Sequence, residues 1–183
     1  MKATGIVRRI DDLGRLVIPK EIRRTLRIRE GDPLEIFTGH DGEVIFKKYS
    51  PIGELSAFAG QYAEILHKTS QKPVIVCDRD HVVSASGVPK KEVLERRISP
   101  SLEELVEERR GYVFREDVPL LIPVEGVDKA ALVMYPIISA GDVCGSIMLM
   151  GDSDELTEKE IPTEAEQKLL QAAAGFLGKQ MEE

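Results

Sequence analysis

The side chains best suited to chemistry gather in one short segment, Pro19–Arg27. A proline followed by Lys20-Glu21-Ile22-Arg23-Arg24-Thr25-Leu26 predicts about two helical turns, because proline at the first helical position lacks only an N–H that has no partner there. At about 100° per residue, with Lys20 at zero, Arg24 falls at about 40°, Arg23 at about 300° and Arg27 at about 340°. Four cations therefore share a sector of roughly 100°. Ile22 and Leu26 fall at about 200° and about 240°, so burying them turns the cations outward. A run of charge is ordinarily a solvated face. Here no acid shares the sector, and Arg8, Arg9 and Arg15 arrive from neighbouring segments, which predicts contact with a polyanion. Arginine suits that task because its planar guanidinium grips a phosphate, or the O6/N7 edge of guanine, with two parallel hydrogen bonds. Double-stranded DNA is the expected partner. In a dimer two copies of the cluster would double the phosphate contacts, and roughly eight neutralised phosphates imply a loss of about 10³–10⁵ in affinity between about 50 and 200 mM salt.

The net charge of −7 does not oppose this, because the charge is unevenly placed. Residues 1–29 hold nine Lys/Arg against three Asp/Glu, whereas residues 30–183 hold sixteen against twenty-nine. A basic head precedes an acidic body, a pointer to a nucleic-acid contact at the basic end. No histidine–cysteine or paired-carboxylate constellation has metal or catalytic spacing, so neither an enzyme nor a metal site is expected. Glu103, Glu104, Glu107 and Glu108 read as a solvated helix face, and Cys77 and Cys144, on apolar segments, as buried structural thiols. The apolar stretches fall far short of the roughly 20 residues that cross a bilayer, and the N-terminus has no apolar signal core. A cytoplasmic, nucleoid-associated protein with no membrane contact is expected.

The elements that position the cations come next. Gly5–Ile10 and Arg15–Ile18 are short β-branched runs around Asp11-Asp12-Leu13-Gly14, a turn composition, and predict a hairpin. A second pair, Leu34–Thr38 and Glu43–Lys48, flanks Gly39-His40-Asp41-Gly42. Adjacent apolar residues such as Ile6-Val7 and Leu16-Val17-Ile18 ask for burial on both strand faces. A module of about 50 residues without disulfide or metal cannot easily supply that burial alone, so an interleaved dimer is expected. Strand alternation sends Arg8 and Arg9 to opposite sides, and pattern leaves open which one faces DNA.

Ser50-Pro51 opens a new element. Leu55, Phe58, Ala59, Tyr62, Ile65 and Leu66 recur at helical spacing, which predicts an amphipathic helix over 51–72 linking the head to a second domain, 73–183. That domain shows strands near Val74–Asp78, His81–Ala85, Tyr112–Arg115, Leu120–Val124, Ala131–Ile138 and Val143–Met150. Helices are predicted near Lys90–Glu95 and Ser101–Arg110. A terminal amphipathic helix over Thr163–Met181 carries Ala165, Leu169, Ala172, Ala173, Phe176 and Leu177 on one side. Such mixed strands and helices predict an α+β domain on an antiparallel sheet.

The run from Lys2 to Leu26, continuing through Glu30-Gly31-Asp32-Pro33-Leu34-Glu35-Ile36 to Lys47-Lys48-Tyr49, resembles the DNA-binding domain of AbrB-type transition-state regulators. The resemblance covers the first fifty residues. It implies an all-β swapped-hairpin barrel formed by two chains, with DNA contacts that fall by position on Arg8, Arg15, Arg23 and Arg24. It thus chooses Arg8 over Arg9 and leaves Lys20, which the wheel groups with the cluster, in second rank. Tyr135-Pro136-Ile137-Ile138-Ser139-Ala140-Gly141-Asp142-Val143-Cys144-Gly145-Ser146-Ile147-Met148-Leu149 resembles the central hairpin of GAF sensory domains. That likeness implies a small-molecule ligand of open identity, held over the sheet. Tyr112, Phe114 and Tyr135 could line such a pocket or belong to the core, and His81, Ser84 and Ser86 are equally surface or turn residues.

The two likenesses together resemble the forespore regulators of endospore-forming bacteria and imply activation and repression of sporulation genes. The flanking helices, with seams at Leu55–Leu66 and Ala165–Leu177, are expected to pair two dimers into a tetramer. Two alternatives stand beside this reading. One is the DNA-binding antitoxin of a toxin–antitoxin pair, which shares the head but normally ends in a flexible tail. The other is a ligand-binding module that uses the head only to dimerise.

Overall fold

The structure is a computed structural model that describes residues 4–154, 156 and 160–182. The chain divides into two compact units, Met1–Tyr49 and Ser50–Glu183. In the first, helix α1 (Lys20–Thr25) precedes an antiparallel hairpin of β1 (Leu34–Thr38) and β2 (Val44–Lys48). Gly42, at φ +76°, takes the left-handed turn position between these strands, and the Gly39 amide donates to the Glu43 carbonyl at 2.8 Å. Lys47 Nζ lies over the Phe37 ring at 4.6 Å from its centroid, a cation–π contact on an aromatic that the hairpin leaves partly open.

The first expected hairpin differs. Residues 11–14 do turn, with the Gly14 amide donating to the Asp11 carbonyl at 3.0 Å and the Asp11 amide to the Arg15 carbonyl at 3.1 Å. Beyond the turn, Gly5–Ile10 and Arg15–Ile18 carry no strand ladder. Two short segments with no further strand beside them are marginal in water, and the β1–β2 pair of this unit does not extend to them.

The second unit is built on a five-stranded antiparallel sheet in the order β4-β3-β7-β6-β5. Its strands are β3 (Val74–Cys77), β4 (Val82–Ser86), β5 (Tyr112–Val113), β6 (Lys129–Ser139) and β7 (Asp142–Asp152). Every residue of β3 is buried, as are Cys144–Met150 of β7, which explains why these strands read as unbroken apolar runs rather than alternations. A Cβ on Gly145 would lie well inside the van der Waals radius of the Cys77 carbonyl oxygen and 3.1 Å from Asp78 Cα. Only glycine lets β7 and β3 approach this closely there. Burial pushes the Cys77 thiol far above its ordinary range, so it stays protonated, and Cys144 is buried as well.

Leu120–Val124 is not a strand. Pro123 has no N–H to offer a ladder, and the segment is held instead by single bonds, the Ser99 amide to the Pro123 carbonyl at 2.8 Å and the Ala131 amide to the Leu121 carbonyl at 2.9 Å. The expected linking helix is two helices, α2 (Pro51–Glu54) and α3 (Ser56–Ser70). Ser50 caps α2 by accepting from the Gly53 amide at 3.1 Å. Neither helix is a free linker, since Ile52, Ala59, Ala63 and Leu66 are buried in the core of the second unit. Helices α4 (Lys90–Val93) and α5 (Pro100–Glu107) follow β4, and α6 (Glu164–Gln180) closes the chain.

The start of α6 is tied to the end of α3. Thr163 and Glu166 form a reciprocal capping box, and Glu166 also accepts from Lys72 Nζ at 2.9 Å, with both side chains largely shielded. Burial alone would raise the Glu166 carboxyl, but the hydrogen bonds from Lys72 and Thr163 outweigh it and hold the group below its ordinary 4.5. A lowered carboxylate stabilises the fold above its unfolded-state value, and that contribution is lost as pH falls through the folded value. Lys72→Met is therefore expected to cost about 1 kcal/mol at neutral pH and to flatten the acid limb of stability below about pH 4.5, read by urea unfolding of the second unit across pH.

Candidate nucleic-acid interface

Arg8, Arg15, Lys20, Arg23 and Arg24 all lie in the first unit, and all five side chains are exposed. Helix α1 brings three of them together: Lys20, Arg23 and Arg24 stand at i, i+3 and i+4 and so share one face. Pro19 sets the entry to this helix and its carbonyl accepts the Arg23 amide at 2.9 Å. The helix fully buries none of its residues, Ile22 is half-buried and Leu26 is 57% exposed, so within one chain the face opposite the cations is only partly covered.

Arg27 does not join the sector. The helix stops at Thr25, and Arg27 adopts φ +51°. Its amide donates to the Arg24 carbonyl at 3.3 Å, while the Ile28 amide reaches the Arg23 carbonyl at 2.8 Å. This pair of bonds is a Schellman termination, in which the left-handed position is usually glycine. Periodicity carried the wheel past the end of the helix because nothing in Thr25-Leu26-Arg27 signals a stop.

Arg8 Nη1 donates to the carbonyl of Val7 at 3.0 Å. Arg15 is placed more firmly. Asp11 Oδ2 accepts Arg15 Nε at 2.8 Å, and Asp11 Oδ1 accepts the amides of Arg15 at 2.7 Å and Leu13 at 3.0 Å. The Arg15 amide, followed by its guanidinium, holds the Asp11 carboxyl below its ordinary value. Sequence reasoning took Asp11 only as a turn former. Its spacing of four from Arg15 was the available signal, but that spacing denotes an ion pair only on a helix, and this segment is a turn.

In the second unit, Tyr112 and Phe114 are core residues, each 7% exposed, and Tyr135 is half-buried beside Gly111. An open groove of about 350 Å³ lies elsewhere, lined by Gly60, Gln61 and Glu64 of α3, Ser84 of β4, and Lys90 and Leu94. Lys68 donates to Glu64 at 2.6 Å and keeps that carboxylate ionised below its ordinary range. Of the residues considered from sequence, only Ser84 lines this groove. Pairing of distant helix and strand surfaces leaves no local signal.

Comparison with known proteins decides the family. Residues 54–182 match the family model described as Stage V sporulation protein T C-terminal, transcription factor. The whole chain is 49% identical over 185 aligned positions to Stage V sporulation protein T of Bacillus subtilis (strain 168), covering 100% of each. The chain belongs to the stage V sporulation protein T family. Members of this family are transcription regulators, and the head here is of the AbrB type. It is 61% identical over 51 residues to the Transition state regulatory protein AbrB of the same organism, spanning 28% of this chain and 52% of that one. Residues 7–53 also match the family model described as Antidote-toxin recognition MazE, bacterial antitoxin. The second unit has the GAF fold: it resembles the crystal structure of a GAF domain/HD domain protein from Geobacter sulfurreducens, with a TM-score of 0.50 at 13% identity over 68% of this chain and 89% of that one. A likeness at that identity is one of fold.

Proposed function

We propose that the chain is a sequence-specific DNA-binding regulator of sporulation genes, activating some promoters and repressing others, in the cytoplasm at the nucleoid. Arg8, Arg15, Arg23 and Arg24 make the DNA contacts, with Lys20 a candidate of second rank. The observation that carries this reading is the exposed face of Lys20, Arg23 and Arg24 on α1, in a head that matches AbrB along its length. The test is a gel shift of the Arg23→Ala, Arg24→Ala double variant against the parent at matched salt. Unchanged affinity overturns the proposal.

The active head in this proposal is a swapped dimer of residues 1–50. Its support is the head's unmet need for burial: Pro19 is the one buried residue among those described, and Val7 and Val17 are 85% and 71% exposed. A second copy, inserting its own segments 5–10 and 15–18, supplies both the missing ladder and the cover for those faces. The acidic body, residues 50–183, repels DNA and confines contact to the head. A folded body matched along most of its length by a transcription-factor model also speaks against the antitoxin alternative, whose head alone is shared.

Tetramer formation and small-molecule sensing are assigned in the same proposal to the second unit. Helices α3 and α6 each carry an inner stripe in the core and a second apolar stripe beside it that is only partly covered. On α3 that stripe is Phe58 and Tyr62, half-buried against the core, and exposed Ile65; on α6 it is half-buried Leu169 with exposed Ala165, Ala172 and Phe176. The stripes adjoin, with the Phe176 ring centroid 6.0 Å from Phe58 and 5.3 Å from Tyr62. Spacings of three and four are those of helices packed side by side in bundles. Ile65→Ser combined with Phe176→Ser, at positions 58% and 44% exposed, is expected to leave the fold intact and convert a tetramer to a dimer in sedimentation equilibrium. A retained tetramer would remove these helices as the seam.

A further inference from the structure

We infer that Asp11 is a positioning residue for DNA recognition: its carboxylate grips Arg15 by Nε and the turn amides together, and so presents the outer Nη1/Nη2 edge of the guanidinium to a base or phosphate. The inference rests on the proposal that Arg15 touches DNA.

The geometry divides the labour of one carboxylate. Oδ1 takes the amides of Leu13 and Arg15 at 3.0 and 2.7 Å and thereby fixes the turn, while Oδ2 takes Nε at 2.8 Å and fixes the side chain. A guanidinium has five donors in one plane. Bound at Nε, it keeps the two parallel donors of the Nη edge, the pair that matches guanine O6/N7 or two phosphate oxygens. The Arg15 side chain is 70% exposed and Asp11 37%, so the fork projects while its root is held. A flexible arginine loses rotamer freedom on binding, and an arginine already held loses less. The opposing effect is that a carboxylate close to DNA repels phosphate. The two effects give opposite signs when the charge is removed, which makes the inference decidable.

Asp12 is the internal control, because it neighbours Asp11, carries the same charge and is exposed. The probes are a duplex selected from a random pool by the full-length parent protein and a random-sequence duplex of equal length, titrated at matched salt. Asp11→Asn keeps an oxygen for the turn amides but gives up the charged grip on Nε. It is expected to weaken binding to the selected duplex by roughly tenfold, with a smaller loss on random DNA. Asp12→Asn, which removes only charge, is expected to bind as the parent or slightly tighter. In the Arg15→Ala background, Asp11→Asn should produce no further loss. Arg15→Lys leaves the turn amides untouched and lacks both Nε and the fork; in that background Asp11→Asn should produce no further loss, whereas a further loss would show that Asp11→Asn acts by disturbing the turn and would overturn the inference. If Asp11→Asn binds as the parent or tighter while Arg15→Ala is weak, Asp11 does not position Arg15 and the inference falls alone. If Arg15→Ala itself binds as the parent, the reading of Arg15 as a DNA contact falls and the inference with it.

Discussion

Replacing Arg23 and Arg24 together by alanine is expected to lower affinity for DNA by at least about 100-fold at matched salt, since each lost arginine contact is worth about 1–3 kcal/mol. Two such contacts per chain give about 2–6 kcal/mol before the second copy in a dimer is counted. The salt dependence should fall in parallel. Each phosphate contact removed reduces the slope of log affinity against log salt by about 0.9, so a gel shift repeated between about 50 and 200 mM salt separates phosphate contacts from base contacts. The fold should not suffer, because both side chains are exposed and alanine is at least as good a helix former as arginine. An unchanged melting temperature beside a collapsed affinity is thus the expected pair of readings. A loss of both would mean that the arginines serve the head's structure instead.

The second large effect is expected from Gly178→Ala. Gly178 is buried on the inner face of α6, and a Cβ there would intrude on the Ile138 carbonyl oxygen and lie 3.0 Å from its carbon. The obstacle is backbone in the long strand β6, which cannot rotate away as a side chain would. The helix must retreat, and with it Leu170, Ala173, Ala174 and Leu177, all now buried. Alanine is the better helix former by about 1 kcal/mol, but overpacking a rigid core costs about 1–3 kcal/mol, and lost burial along four side chains adds to that. A net destabilisation of about 2 kcal/mol is expected, a fall in melting temperature of roughly 5–10 °C. Gly175, one turn earlier on the same helix, has no heavy atom within 4 Å of its Cβ position. Gly175→Ala should therefore raise the melting temperature slightly. Opposite signs at two glycines of one helix would establish that close approach, not helix propensity, decides the first.

How far the site was legible can be judged from α1. Lys20, Arg23 and Arg24 share a face because helical periodicity is a local rule, and a run of residues carries it without help from the rest of the chain. Arg27 departed because the helix ends in a left-handed turn, and that choice is made by the closing hydrogen bonds to Arg23 and Arg24 rather than by residue type. Asp11 was missed for a related reason: the same spacing of four means one thing on a helix and another around a turn.

In the second unit the amphipathic helices were legible as elements but not as surfaces. Ala165, Leu169, Ala172, Ala173, Phe176 and Leu177 read as one apolar side, yet the structure buries Ala173 and Leu177 with Leu170 and Ala174 and leaves Ala165, Ala172 and Phe176 outside. A helix wholly apolar over half its circumference does not state which part meets its own sheet. That depends on the glycine at 178, where β6 comes close, and so on contacts between residues about forty positions apart.

By itself, then, the sequence determined the two-part organisation, the basic head before an acidic body, the apolar central strands and the arginine-rich helix, because charge balance, strand composition and helical period are properties of neighbouring residues. Tertiary structure alone decided which helix stripe is core and which residues of α3 and β4 share a groove, while the stop of the arginine helix and the hold of Asp11 on Arg15 were settled by short-range hydrogen bonds that residue type does not signal. Each of those outcomes is set by steric fit or hydrogen bonding with partners that the local pattern does not name.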